Sequence, residues 1–470
     1  MSLDQPVSRS GDGRDLKTTD TQTEVLLTPG DSTAATTTNI YKSYKRRFFG
    51  LAELILLNLV VSWGWLTYAP VANTAAAYFN TSASAVNWLV VGFYFAFVII
   101  SPLVQWMLNR HGPKASITAA AALILVGNWI RYGATRASPP SYAGVFVGQV
   151  IIGFSQPFVL AAPTKYSELW YSPKGRVTAT AIATLANPFG GAVGSLVDPF
   201  LAINPPDIGP MTLYIAIITT VIAVPAFFIP AYPPTPVAPS SVIKRPAVAR
   251  QINLLLTNPT FWLIYIPFVV YVGFFNSFST LLTQFLTPYG LSEQDAGIAG
   301  AVLIVVGLVA AAITSPLIDK YKRYVLLIKL LVPLLGIGYL IFIWAPSTGG
   351  IAYPYVACAL LGATSLSLVP IALEWLCEVT YPVEPELSSV LCWAGGQLMG
   401  AIFIIISEAL EAGSDGSPPY NMQRSLIFQA VIAVAVVPCA LLLGVFGTTK
   451  EARSEAEELS RQTTSASGTA

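Results

Sequence analysis

Residues 86–108 read VNWLVVGFYFAFVIISPLVQWML, a stretch with no Asp, Glu, Lys, Arg or His in it. About 20 predominantly apolar residues carry a helix across the hydrocarbon layer of a bilayer, where each backbone N–H and C=O must be paired inside its own segment. The stretch therefore reads as a membrane-spanning helix. Working outward, comparable runs recur at Leu54–Val61, Ala299–Ile313 and Val431–Val445. The whole pattern predicts twelve spans, at 48–70, 86–108, 115–134, 143–166, 177–202, 211–230, 260–287, 295–318, 325–345, 353–376, 387–411 and 425–447.

Composition agrees. Of 470 residues, 54% are hydrophobic and 10% charged, against about 25% charged in an ordinary soluble domain. A net charge of +1 points to no acidic or basic partner, and no nucleic-acid binding is expected. The placement of Lys and Arg is more informative, because cytosolic loops of membrane proteins are enriched in them. Lys42, Lys45, Arg46 and Arg47 precede the first span, Arg110 and Lys114 follow the second, and Lys165, Lys174 and Arg176 follow the fourth. Lys244, Arg245 and Arg250 follow the sixth, and Lys320, Lys322, Arg323 and Lys329 the eighth, whereas the opposite loops hold little beyond Arg131, Arg136 and Arg424. Both termini are expected in the cytosol, which an even number of spans requires.

The first apolar run begins near Phe48 behind a polar leader, so it reads as a signal anchor rather than a cleaved peptide. Residues 1–47 and 448–470, rich in small polar residues, are expected to be disordered cytosolic tails. Between them lie a six-helix bundle at 48–230, a cytosolic linker at 231–259 whose Pro233, Pro234, Pro236 and Pro239 stiffen it, and a second six-helix bundle at 260–447. The two halves echo one another. Ser101-Pro102-Leu103 followed by Asn109-Arg110-His111-Gly112-Pro113-Lys114 matches Ser315-Pro316-Leu317 followed by Asp319-Lys320-Tyr321-Lys322-Arg323, each at the end of the second helix of its half. Such a parallel repeat predicts an all-α membrane protein of two pseudo-symmetric six-helix bundles, the major facilitator arrangement.

Ionisable groups near the bilayer centre normally mark proton or ion pathways. Few are present: Glu53, Asp198, Glu374, Glu378 and Glu408 all stand near span ends and are expected to reach the interface, with Glu53 the fallback for proton coupling. Facilitated diffusion is the expectation. The spans carry instead uncharged polar and aromatic residues in helical register. Trp65 and Tyr68 share a face, as do Asn276, Thr280, Thr283 and Gln284, and Gln149 and Gln156 lie two turns apart. Aromatic faces and amides without fixed charge suit a weakly hydrated cation, each ring contributing about 0.5–2 kcal/mol, and equally a neutral polar solute.

Other chemistries find less. Cys358, Cys377, Cys392 and Cys439 show no metal-type spacing, and no metal or cofactor is expected. Glu374, Glu378, Glu384 and Glu386 cluster without a histidine, so they read as helix-end or loop-docking carboxylates rather than an enzyme's relay. Asn80-Thr81-Ser82 forms a glycosylation sequon close to the membrane.

Several strings resemble a known family. Trp65-Leu66-Thr67-Tyr68, Asn87-Trp88-Leu89, Gly148-Gln149, Gln156-Pro157-Phe158-Val159-Leu160 with Pro163, Trp170-Tyr171 and Asn187-Pro188-Phe189-Gly190 in the first half are joined by Ser279-Thr280-Leu281-Leu282, Gln284 and Gly395-Gly396-Gln397 with Gly400 in the second. Together, over roughly residues 48–447, they resemble the feline leukaemia virus subgroup C receptor-related transporters, solute carrier family 49. That resemblance implies a major facilitator carrier of choline, ethanolamine or a related metabolite. It further implies a substrate site at Trp65, Gln156 and Gln397, with Asn276 where the choline carriers have a tyrosine. An amide there favours a solute with hydroxyl or primary-amine groups, and haem export is not expected, since His111, the one histidine, falls in a loop. The expected substrate-binding set is Trp65, Tyr68, Gln156, Asn276, Thr280 and Gln397, in a monomer embedded in the lipid bilayer of a plasma or endolysosomal membrane. A non-transporting receptor on the same fold is the alternative.

Overall fold

The computed structural model describes residues 44–171, 173–234, 248–321, 323–380, 383 and 385–445. No strand occurs among them. In the first half, α1 (Arg46–Leu66), α2 (Ala72–Phe79), α3 (Ala83–Thr135), α4 (Tyr142–Leu160), α5 (Ala162–Trp170), α6 (Pro173–Leu201) and α7 (Ile208–Ala226) follow in order. After α8 (Val248–Leu256), the second half holds α9 (Pro259–Leu286), α10 (Glu293–Tyr321), α11 (Tyr324–Phe342), α12 (Ala352–Val379), α13 (Pro385–Ala409), α14 (Gln423–Ala435) and α15 (Val437–Leu441). The expected terminal tails fall largely outside the described residues, as do Lys42, Lys244, Arg245, Lys322 and Glu384.

Eleven helical segments among the described residues are long and apolar enough to cross a membrane, with α4 counted together with α5 and α14 with α15. One of them crosses twice. At 53 residues, α3 would stretch about 80 Å, more than two hydrocarbon thicknesses of about 30 Å. Gly112, with φ 77° and ψ 180°, breaks the helix where the sequence places the polar loop. The positive φ is one that glycine adopts without steric penalty. Twelve passes result among the described residues, and both described chain ends lie on one side.

The halves meet along two lines, α6 against α10 and the first part of α3 against α13. These pair the fifth span with the eighth and the second with the eleventh, which a rotation relating the halves exchanges. The repeat is visible at atomic scale as well. Pro102 and Pro316 have no N–H to give to the preceding turn, and in both copies the serine beforehand turns its hydroxyl back into the helix. Ser101 Oγ donates to Phe97 O at 2.7 Å and Ser315 Oγ to Ala311 O at 2.8 Å. Outside, Val221, Phe228, Val309 and Val356 are each more than half exposed, an apolar surface that lipid covers and water would not tolerate.

Four charged residues depart from expectation. Arg131, expected in a loop, and Asp198, expected at the interface, are 0% exposed within the first bundle, and Glu53 and Glu378, also expected to reach the interface, are buried at 6% and 8% exposed. For Arg131 and Asp198 the reason lies in their partners. Asp198 accepts from Trp63 Nε1 at 2.9 and 3.1 Å, while Arg131 lays its guanidinium 4.8 Å over the Tyr68 ring and its charge acts on Asp198.

Candidate functional site

On the second-half side, α9 and α13 approach so closely that a methyl group on Gly273 would lie 2.7 Å from Met399 Cβ, and one on Gly396 would lie 2.5 Å from Val272 Cγ1. Small residues of this kind let membrane helices pack backbone to backbone. The close approach brings two carboxamides together: Asn276 Nδ2 donates to Gln397 Oε1 at 2.9 Å, both side chains buried. One turn on, Thr280 Oγ1 returns its proton to Asn276 O at 2.8 Å, which fixes the rotamer beneath the amide pair.

The first half faces this pair with two rings. Trp65, near the end of α1, and Tyr94, in the first part of α3, stand with centroids 6.0 Å apart and planes tilted by 49°. A methyl on Gly400 would sit 3.3 Å from Asn276 Nδ2 and 3.4 Å from Tyr94 Cε2, so the tyrosine edge and the asparagine amide converge on Gly400, where α3 meets α13. Tyr94 also neighbours the Thr280 hydroxyl. Behind the indole, Gly191 of α6 leaves room: a methyl there would be 3.4 Å from Trp65 Cζ3.

These groups are buried but not satisfied. Trp65 Nε1, the Tyr94 hydroxyl and Gln156 Oε1 have no hydrogen-bond partner. A buried polar atom left unpaired costs about 1–3 kcal/mol, and such atoms mark places where water or a ligand belongs. Gln156 is buried and makes no hydrogen bond to Trp65, Tyr94, Asn276 or Gln397. It lies one turn along α4 from Val159, whose carbonyl accepts Asn58 Nδ2 of α1 at 3.0 Å. None of Trp65, Tyr94, Gln156, Asn276, Thr280 and Gln397 carries a formal charge.

Of the expected residues, Trp65, Asn276, Thr280 and Gln397 are thus brought together around Tyr94. Tyr68 goes elsewhere. Its hydroxyl pairs with Thr212 Oγ1 at 3.2 Å and its ring packs against Phe79 in a separate core beneath α2. Gln149 also stands apart from this group, donating to the carbonyls of Gly64 and Trp65 at 3.0 and 3.4 Å. Tyr94 was not singled out from sequence, since it sits in an unbroken apolar run. Asn87, Tyr94 and Ser101 nevertheless stand seven apart and are all buried, a polar stripe two turns per step.

The remaining polar residues of the stripe on α9 join the halves at the end distal to the chain termini. Asn87 and Gln284 exchange both amide hydrogen bonds, at 3.1 and 2.8 Å. Thr283 Oγ1 donates to Pro70 O at 3.2 Å, and Ser84 Oγ to Glu408 at 2.9 Å. The start of α2 binds Glu293 of α10 through Asn73 N at 2.8 Å and Thr74 Oγ1 at 2.6 Å. This mouth is closed. Two surface grooves of about 530 and 540 Å³ open elsewhere, on the lipid-facing flank of α3 and α7, the first lined by Trp106 and His111.

The sequence profile of the Major Facilitator Superfamily matches residues 54–404. Solute carrier family 49 member A3 of Danio rerio is 31% identical over 374 residues, which cover 78% of this chain and 79% of the relative. Choline/ethanolamine transporter FLVCR1 of Felis catus is 28% identical over 419 residues, 85% of this chain and 74% of the relative. In fold, the chain superposes with a TM-score of 0.65 on a bacterial homolog to the human lysosomal transporter Spinster, inward-facing and unoccupied, at 15% identity, covering 85% of this chain and 97% of that one.

Proposed function

Because this chain belongs to the Major Facilitator Superfamily and, within it, to solute carrier family 49, a family of membrane transporters, we propose that the solute it carries is a small organic amine of the ethanolamine or choline type. The proposed site is the space framed by Trp65, Tyr94, Gln156, Asn276, Thr280 and Gln397, reached from each side in turn as the halves rock. Transport is preferred to the receptor alternative by this kinship.

One observation carries the substrate reading: an aromatic pair from one half, Trp65 and Tyr94, confronts a bonded amide pair from the other, Asn276 and Gln397. Two ring faces offer a cation about 0.5–2 kcal/mol each, and Tyr94 supplies a ring beside the position where Asn276 withholds one. The unpaired Gln156 Oε1 is an acceptor for an ammonium N–H or a hydroxyl. A primary amine gives such an acceptor more donors than a quaternary one, so ethanolamine is favoured over choline. The uncharged lining supports facilitative movement. By the distribution of basic residues, both termini face the cytosol, and each monomer holds a complete site.

The test is uptake into proteoliposomes. Radiolabelled ethanolamine and choline should enter saturably, each competing with the other, with ethanolamine showing the lower KM, and Trp65→Ala should weaken both. Absence of flux for every member of a broad panel of amines, vitamins and polar metabolites would overturn the assignment.

A further inference from the structure

The end of α1 is held in an unusual way. The last four carbonyls of a helix have no donor within it and need outside partners. Here Thr67 Oγ1 donates to Trp63 O at 3.0 Å, and Gln149 Nε2 of α4 reaches across to Gly64 O at 3.0 Å and Trp65 O at 3.4 Å. Arg131 Nη1 of α3 adds a bond to Gly64 O at 3.4 Å. A cation at a helix C-terminus also meets the negative end of its dipole.

Glycines make the reach possible. A methyl on Gly148 would lie 2.7 Å from Arg131 Cγ, and one on Gly64 3.1 Å from Ile152 Cγ2, so any larger residue at either place would displace the arginine stem or push α1 away from α4. On the opposite flank, Asp198 of α6 holds the Trp63 indole. Residues two apart on a helix point to nearly opposite sides. With Trp63 tied to α6 and the carbonyls of Gly64 and Trp65 tied to α3 and α4, both the roll and the depth of α1 are set at Trp65. Trp65 itself donates to nothing, so its orientation comes from this backbone clamp and from contact with Tyr94.

We propose that Gln149 and Arg131 are positioning residues which, by gripping the last turn of α1, aim the Trp65 indole at the solute. This rests on the reading of Trp65 as a wall of the substrate site. Neither side chain touches the solute. The clamp joins three helices of one half.

The experiment combines a spectroscopic and a kinetic readout on the full chain. Protein labelled with 5-fluorotryptophan is reconstituted in nanodiscs, and the Trp65 and Trp344 resonances are assigned through Trp65→Phe and Trp344→Phe. Gln149→Leu, which keeps the bulk but loses the donor, is expected to shift or split the Trp65 ¹⁹F line and leave that of Trp344 in place. In proteoliposomes the same variant should raise the KM for ethanolamine about five- to tenfold, the scale of one weakened ring contact, with the maximal rate within about twofold. Arg131→Lys, which keeps the charge opposite Asp198 and one donor, should give a smaller displacement of the same line. A Trp65 line that stays put in folded Gln149→Leu overturns the proposal. Should that variant fail to fold, an unmoved line in Arg131→Lys overturns it. If the wild-type chain carries no amine, the kinetic arm falls with the proposed function while the fluorine arm still decides the clamp.

Discussion

The two halves share a topology and differ in what fills them. Around Trp65 the first bundle is polar, with Arg131, Asp198 and Gln149 all buried and several of their polar atoms unpaired. At the corresponding depth the second bundle is a stack of rings. Phe274 lies 4.3 Å from Phe403 at an angle of 21°, Phe278 meets Phe342 at 4.6 Å, and Tyr339 closes on both Phe274 and Phe278. Near this stack the Tyr271 hydroxyl donates to Ala433 O at 2.7 Å. Equivalent helices therefore bring to the proposed site an indole from an electrostatically held bundle and amides from a close-packed one. A repeat fixes where helices go and leaves open how each bundle is made rigid.

That contrast can be broken by mutation. The largest effect is expected from Asp198→Ala, which leaves the buried Trp63 Nε1 without its acceptor and removes the carboxylate whose charge acts on the buried Arg131. A buried donor left unpaired costs about 1–3 kcal/mol and more beside a charge, so detergent thermal melts should show a clearly lowered melting temperature. Phe403→Leu in the second bundle should stay folded with a lower melting temperature. Equal losses from the two would mean that the halves are not stabilised differently.

Next come the site residues themselves. Trp65→Ala should raise the KM for ethanolamine about tenfold by removing a ring face worth about 1–2 kcal/mol, with a lowered melting temperature because a buried indole is also lost from the packing. Gln397→Ala should raise it about fivefold, the scale of one hydrogen bond. A smaller response is expected at the distal mouth. Asn87→Ala removes the reciprocal amide pair with Gln284, about 1 kcal/mol or a fivefold change in population, seen as faster hydrogen exchange in α2 and the start of α10. Smallest should be Gly400→Ala, whose methyl would lie 3.0 Å from Asn276 Cβ. Crowding of that degree costs about 1 kcal/mol, a lowering of the melting temperature by a degree or two with uptake reduced rather than lost.

Spans were legible in the sequence because hydrocarbon enforces one rule on each of them, and the Ser-Pro-Leu repeat was legible because the same tripeptide recurs at the end of the second helix of each half. Tyr94 was hidden for the same reason that its helix was obvious: in a run such as Gly92-Phe93-Tyr94-Phe95, a phenol reads as one more apolar ring. Arg131 and Asp198 misled through their charge, which on average seeks water. Only the fold reveals that a tyrosine face, a tryptophan N–H and a free helix end are arranged to receive them. Gln284 and Thr283 share a helical face with Asn276 by spacing, but spacing does not convey that this face also serves a seam, with Gln284 bonded to Asn87 and Thr283 to Pro70.

The seam has a consequence for the transport cycle. One amide pair, three hydroxyls and two glutamates hold the distal mouth shut, and all must let go together before an empty carrier can reorient. Where that release is slower than reorientation with cargo, swapping labelled for unlabelled amine across the membrane outruns net efflux into amine-free buffer. The ratio of the two fluxes then measures how tightly the seam is fastened.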